Sequence, residues 1–130
     1  MADFISFDEG KTDLVNNGLP ATCTFDLSTK TVDELGKEAT YAGGYGVATG
    51  TGYEAKTEAE PTASKGKVSF AKKTWETKEA TDWPASVKSV VMRNAKTNLI
   101  CAWNIIPGGT GRAMNAANTT ENLTLTLQLE

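Results

Sequence analysis

Leu123, Leu125, Leu127 and Leu129 alternate with Thr124, Thr126, Gln128 and Glu130 at the end of the chain. An extended strand sends successive side chains to opposite faces, so a period of two lays every leucine on one side and every polar residue on the other. The pattern predicts a half-buried closing strand from about Glu121 to Leu129, and with it a sheet whose inner face the leucines help to fill.

Upstream segments repeat the pattern. After Pro20, the residues Ala21, Cys23, Phe25 and Leu27 alternate with Thr22, Thr24 and Asp26, which reads as the first strand. A Gly-rich loop, Tyr41 to Tyr53, leads to a strand from about Tyr53 to Ala59, and Pro61 and Gly66 turn the chain. Val68 and Phe70 carry another strand, extended or bulged to reach Trp75. Val87 to Met92 and Leu99 to Ile106, joined by a turn at Asn94 to Asn98, form a hairpin with apolar residues on both faces, as at the centre of a sheet or under a covering element.

Two helical signals interrupt the strands. Ser6 with Glu9 makes a capping-box pattern for a helix from Phe7 to Asn16, with Phe7, Leu14 and Val15 on one side. Gly10 within it costs about 1 kcal/mol relative to Ala, so this helix relies on packing. Thr31 with Glu34 repeats the pattern around one turn, Val32 to Gly36. The fold class is therefore all-β, an antiparallel β-sandwich or small barrel with a short N-terminal helix. One domain, 1–130, is expected, with residues 1–18 as an N-terminal segment and helix. Its core should hold Phe25, Leu27, Val68, Phe70, Val91, Leu99, Trp103 and Leu125, with Trp103 on the strand face of Leu99, Cys101 and Ile105.

Chemistry is narrowed by what the composition lacks. Histidine is absent, which removes the commonest general base and metal ligand. Cys23 and Cys101 read as buried free thiols, and a bond between them requires neighbouring strands. No metal site or cofactor is expected. Gly50, Gly52 and Ala55 have the spacing of a dinucleotide fingerprint but lead into an extended segment where a helix is required. Glu34 with Glu38, and Glu76 with Glu79 and Asp82, are acidic pairs in charged connections, where solvation is their ordinary state. No catalytic residue is assigned. A net charge of -3 opposes sequence-independent nucleic-acid binding, which needs a basic surface. Lys65, Lys67, Lys72 and Lys73 read as the solvated face and ends of a strand. No apolar run approaches the roughly 20 residues of a membrane span, and the N-terminus has no signal-peptide pattern, so a chain made soluble is expected.

The candidate interaction residues are apolar or aromatic. Tyr41, Tyr45 and Tyr53 in the Gly-rich loop, with Trp83 at a strand entrance, are types that line sugar- or protein-binding surfaces, and they equally serve to anchor loops on a core. Phe4 and Ile5 stand before the first helix, suited either to docking or to stapling that helix to its own sheet.

From about Leu19 onward the elements resemble those of small structural proteins of tailed bacteriophage virions. The shared features are the helical turn Thr31 to Leu35, the pair Gly52 and Tyr53, the Trp-bearing connection at Trp83, the hairpin segment Thr97, Asn98, Leu99 and Ile100, and the alternating strand from Asn122 to Leu129. The chain departs from that pattern at Val90, Val91 and Met92, where a Gly-aromatic pair often stands. The resemblance implies a non-enzymatic head decoration, collar or tail accessory protein, made in the host cytoplasm and carried in the virion. Its implied partners are other virion proteins and further copies of itself, without nucleic acid or membrane; the alternative is a carbohydrate- or receptor-binding module contacting a surface glycan.

Overall fold

The computed structural model describes residues 3–61, 63–65, 67–94 and 98–128. Among them the elements run β1 (Phe4–Ser6), α1 (Asp8–Asn17), β2 (Thr22–Ser28), α2 (Val32–Leu35), β3 (Lys56–Ala59), β4 (Ala63–Ser64) and β5 (Lys67–Ser69). They continue with β6 (Lys73–Glu76), β7 (Ser89–Asn94), β8 (Asn98–Asn104), β9 (Thr120–Leu123) and β10 (Thr126–Gln128). The expected turn residues Gly66 and Thr97, and the last leucine of the closing pattern, Leu129, lie outside the described residues.

β7 and β8, apolar on both faces, occupy the interior of a five-stranded antiparallel sheet ordered β1-β8-β7-β2-β3. Cys23, Phe25, Leu27, Val90, Met92 and Cys101 on one face pack against Val68, Phe70, Trp75, Leu125 and Leu127 from a three-stranded sheet, β10-β5-β4, a two-stranded sheet, β6-β9, and their connections. Phe25 and Phe70 meet edge to face at 5.1 Å between ring centres. The sheets do not close, so the sandwich is the observed form and the barrel is not. The opposite face of the large sheet is also covered: Val91, Leu99 and Ala102 lie under Phe7, Val32 and Tyr45.

The closing strand keeps its leucine face but is broken in two. Leu125 and Leu127 are buried and Leu123 partly so, yet β9 pairs with β6 while β10 pairs with β5. Phe70 N–H still donates to the Leu125 carbonyl, whereas Lys73 is opposite Leu123, so Ala71 and Lys72 face Thr124 alone. This one-residue slip exchanges the faces of one strand: Val68 and Phe70 point inward before it, Lys73 and Trp75 after it. At the break Glu58 on β3 takes the Ala71 N–H at 2.8 Å and the Lys73 ammonium at 2.5 Å, so the groups turned inward there have a partner. Lys73 is accordingly buried, 5.3 Å from the Phe25 ring centre, and does not belong to a solvated face.

A second irregularity corrects Trp103. Met92 is opposite Cys101 and Arg93 opposite Leu99, leaving Ile100 as an extra residue in β8. Leu99 therefore faces the side opposite to Cys101 and Trp103. Trp103 is half-buried at the sandwich margin, against Phe4, with its Nε1–H donating to the Thr126 carbonyl at 3.0 Å.

The N-terminus also differs from the sequence reading. Phe4–Ser6 forms a strand paired with the end of β8, preceding the strand expected to be first. α1 then covers the rest of the β8 edge. Its N-cap is Phe7, with no side-chain capping bond; Phe7 N–H donates to the bulge carbonyl of Ile100 at 2.9 Å. Glu9 does not cap Ser6, because its Oε2 accepts from the backbone N–H groups of Leu99 and Tyr41 at 2.8 and 3.0 Å. Val15, expected on the packed side, is 86% exposed. The second capping box does form, with Glu34 N–H donating to Thr31 Oγ1 at 3.1 Å and Thr31 N–H to Glu34 Oε1 at 3.0 Å.

Gly10 is the point of closest approach between α1 and β8: a methyl group there would overlap the Leu99 carbonyl and Ile100 Cα. Helix propensity alone makes Gly10→Ala stabilising by about 1 kcal/mol. The packing reverses the sign, and urea denaturation should show a loss of about 1–3 kcal/mol from overpacking. An unchanged or improved midpoint would show that α1 can lift from the strand without penalty.

Candidate interaction surface

Asp26 organises the covered face. Alternation in β2 turns it away from Phe25 and Leu27, to a position that is 2% exposed, where a carboxylate needs partners. Tyr45 Oη donates to Oδ2 at 2.6 Å, Arg93 Nε to the same oxygen at 2.7 Å, and Tyr53 Oη to Oδ1 at 3.1 Å. Leu27 N–H in turn donates to Tyr53 Oη at 2.8 Å. Burial, and then the Asp26 carboxylate, push both phenols well above their ordinary value, which keeps them protonated as donors. Burial opposes the Arg93 charge, but its bond to Asp26 outweighs that and holds the guanidinium ionised more firmly than usual.

These bonds, with others, fasten the Gly-rich loop to the sheet. Ser28 Oγ donates to the Tyr45 carbonyl at 2.6 Å, and Trp83 Nε1–H to the Thr51 carbonyl at 2.8 Å. Gly50 lies flat on the Trp83 indole, where any side chain would overlap the ring. Asp82 accepts from Thr51 N–H at 2.9 Å and from Thr51 Oγ1 at 2.7 Å. Tyr45 and Trp83 are thus buried, Tyr53 is partly buried edge to face with Trp83, and Tyr41 is half-buried with the Arg93 guanidinium 5.4 Å from its ring centre. The loop aromatics act as anchors and do not form a common exposed face. The turn at Gly50 to Gly52 leads into β3 and opens no helix, so the dinucleotide spacing is structural.

Phe4 and Ile5 are placed differently. They line a groove of about 940 Å³ between the N-terminal segment and β10, whose walls also include Leu14, Val15, Ile100, Trp103 and Leu127. The charged residues on its lining are Lys11 and Lys37. Asp8 N–H donates to the Lys37 carbonyl at 2.8 Å, which fixes Lys37 beside the start of α1. Sequence reading found two of these residues as a terminal apolar pair but not the rest. Trp103 was the available signal, misassigned because the β8 bulge leaves no trace in the alternation.

A second depression, about 620 Å³, is lined by Glu54, Glu76 and Glu79 together with Lys56 and Lys78. Its mixed, exposed charges suit a solvated surface. Asp82, grouped with these acids in the sequence, is engaged with Thr51, whose backbone N–H and hydroxyl hold the carboxyl below its ordinary value. Among the described residues no group of three or more histidine, cysteine or acidic side chains could hold a metal ion. Cys23 and Cys101 are free and buried, with β7 between their strands. Burial, and then Glu58, push the Cys23 thiol up to about 11, and burial holds Cys101 well above its ordinary value, so neither is a ready thiolate. No helix among the described residues is long and apolar enough to cross a membrane. No protein-family model matches the chain, and neither a curated protein nor a solved structure does.

Asp26→Ala leaves Arg93 as an uncompensated buried cation and should cost about 3–5 kcal/mol by urea denaturation. Tyr53→Phe removes one donor and should cost about 1–2 kcal/mol. Equal, small losses would mean that Asp26 is not the anchor. Acid should also loosen the fold. Burial works against ionised Glu58, but the Lys73 and Ala71 bonds outweigh it and lower its pKa; backbone hydrogen bonds from Gly108 and Thr51 lower Asp3 and Asp82. Native-state pKa values below the unfolded ones give stability that is complete above the ordinary carboxylate range and lost as pH falls through the lowered values. Melting temperature should be level from pH 7 to about 5 and fall below about 4. Glu58→Gln should flatten that fall.

Proposed function

We propose that this chain is a non-enzymatic assembly subunit acting by protein–protein contact, specifically a structural component of a tailed bacteriophage virion. A capsid decoration, collar or tail accessory protein made in the host cytoplasm fits the resemblance of its sequence elements. The observation that carries the assembly reading is the division of labour among side chains. The buried groups Asp26, Arg93, Lys73 and Tyr45, with the partly buried Glu58 and Tyr53, are engaged in holding the fold. Apolar surface remains open along the N-terminal groove, as an interaction site requires. A subunit repeated in a particle works by presenting such a surface to each neighbour, whether another virion protein or a copy of itself. Against the glycan-binding alternative, Tyr45 and Trp83 are enclosed and offer no stacking face to a sugar.

Val15 gives a clean test because it lines the groove and is 86% exposed. Val15→Glu should alter stability by no more than about 0.5 kcal/mol, as surface changes do. Mass spectrometry of purified particles should find the parent chain at a fixed copy number and the variant strongly depleted. Particles that never contain the parent chain, together with a purified chain that stays monomeric at every concentration, would overturn the assembly reading. Saturable glycan binding on an array, with no particle association, would favour the receptor-binding alternative.

A further inference from the structure

We infer that the groove beside β1 receives an extended partner segment carrying apolar side chains and carboxylates, added as a strand to the open edge of the large sheet. This names the partner chemistry for the assembly reading and rests on it for the identification of the groove as an interface. Asn104 N–H donates to the Asp3 carbonyl and Phe7 N–H to the Ile100 carbonyl, with Ile5 opposite Ala102 between them. In an antiparallel ladder, Asp3, Ile5 and Phe7 therefore direct their backbone groups at β8, while Phe4 and Ser6 direct theirs outward. Among the described residues, no backbone hydrogen bond from outside the sheet ladder reaches Phe4 or Ser6. β1 thus ends the sheet with outward-facing donors and acceptors beside an apolar floor containing Trp103, the arrangement used in strand addition.

Charge selects the occupant. Lys11 and Lys37 are the charged residues among those that line the groove, although the chain carries a net charge of -3, and with Asp8 close by neither has an ion-pair partner among the described residues. An acidic extended segment meets this rim. A second copy docked symmetrically through the same groove would bring both lysines of each copy to one interface, which like charge opposes. The outward backbone groups favour a peptide, which supplies matching N–H and C=O groups along its length.

The probes are short synthetic peptides alternating valine with aspartate, valine with lysine, and a scrambled version of the first, titrated into the full chain and followed by amide and indole NMR signals. The valine-aspartate peptide should shift Phe4, Ser6 and the Trp103 indole and should bind at least tenfold more tightly than the others, more weakly as salt rises. Lys11→Glu with Lys37→Glu should reverse the peptide preference. Ser6→Pro removes an outward donor and no bond to β8, so it should weaken binding with the fold kept, as judged by the spectrum. Equal binding of acidic and basic peptides, shifts that avoid β1, self-association through the groove, or binding only to anionic vesicles would each overturn the inference. Such a failure with Val15→Glu still depleted from particles leaves the assembly reading standing, whereas peptide binding by a chain absent from particles does the reverse.

Discussion

A carboxylate enclosed in a sheet holds this structure in one arrangement. Asp26 gathers a strand neighbour, Arg93, and two phenols from a loop that would otherwise have little reason to adopt one path. Twelve glycines in the chain give its loops conformational freedom, and the Gly-rich segment contains several of them. Specific bonds to a buried charge restrict that freedom more sharply than apolar contact, because a displaced phenol leaves the charge without its partner. The second face of the large sheet is consequently a fixed layer, and Tyr41 and Tyr45 belong to its framework.

Irregularities in the strands divide the molecule into parts with different tasks. The slip at Ala71 and Lys72 divides the pairing between two small sheets while keeping Trp75, Phe70 and three leucines against a common core. The bulge at Ile100 offers its carbonyl to Phe7 and lets α1 settle on the edge of β8. Where α1 ends its cover, β1 is left as a short margin with the half-buried Trp103 beneath it. The open groove follows from covering one edge with both a helix and a strand.

Local chemistry made a large part of this legible. The hairpin of β7 and β8, the alternation of β2 and the capping box at Thr31 and Glu34 depend on residues close in the chain, and each is recognisable there. Gly10 looked like a weakness in a helix, since its reason is the backbone of a strand some 90 positions away, the separation of the Glu9 and Leu99 contact beside it. Lys73 looked solvated because Glu58, which takes its charge inward, stands on another sheet. Ser6 and Glu9 carried the spacing of a cap, but Glu9 had a better use between two unpaired N–H groups. The loop aromatics and the apolar pair Phe4 and Ile5 were recognisable as residue types, whereas which were enclosed depended on partners distant in the chain, such as Asp26 for Tyr45 and Thr51 for Trp83.

The pairing of β1 with β8 sets the order in which the chain can be completed. Asp3 and Asn104, joined by a side-chain hydrogen bond at 3.0 Å, are 101 positions apart. Closing so long a loop costs entropy before any contact offsets it, which places this topology among slow folders, on a scale of about milliseconds to seconds. During synthesis, Phe4, Ile5 and Phe7 are made about a hundred residues ahead of the strand that covers them. Until β8 is made, Phe4–Ser6 has no strand to pair with, and its apolar side chains are open to contact with another chain.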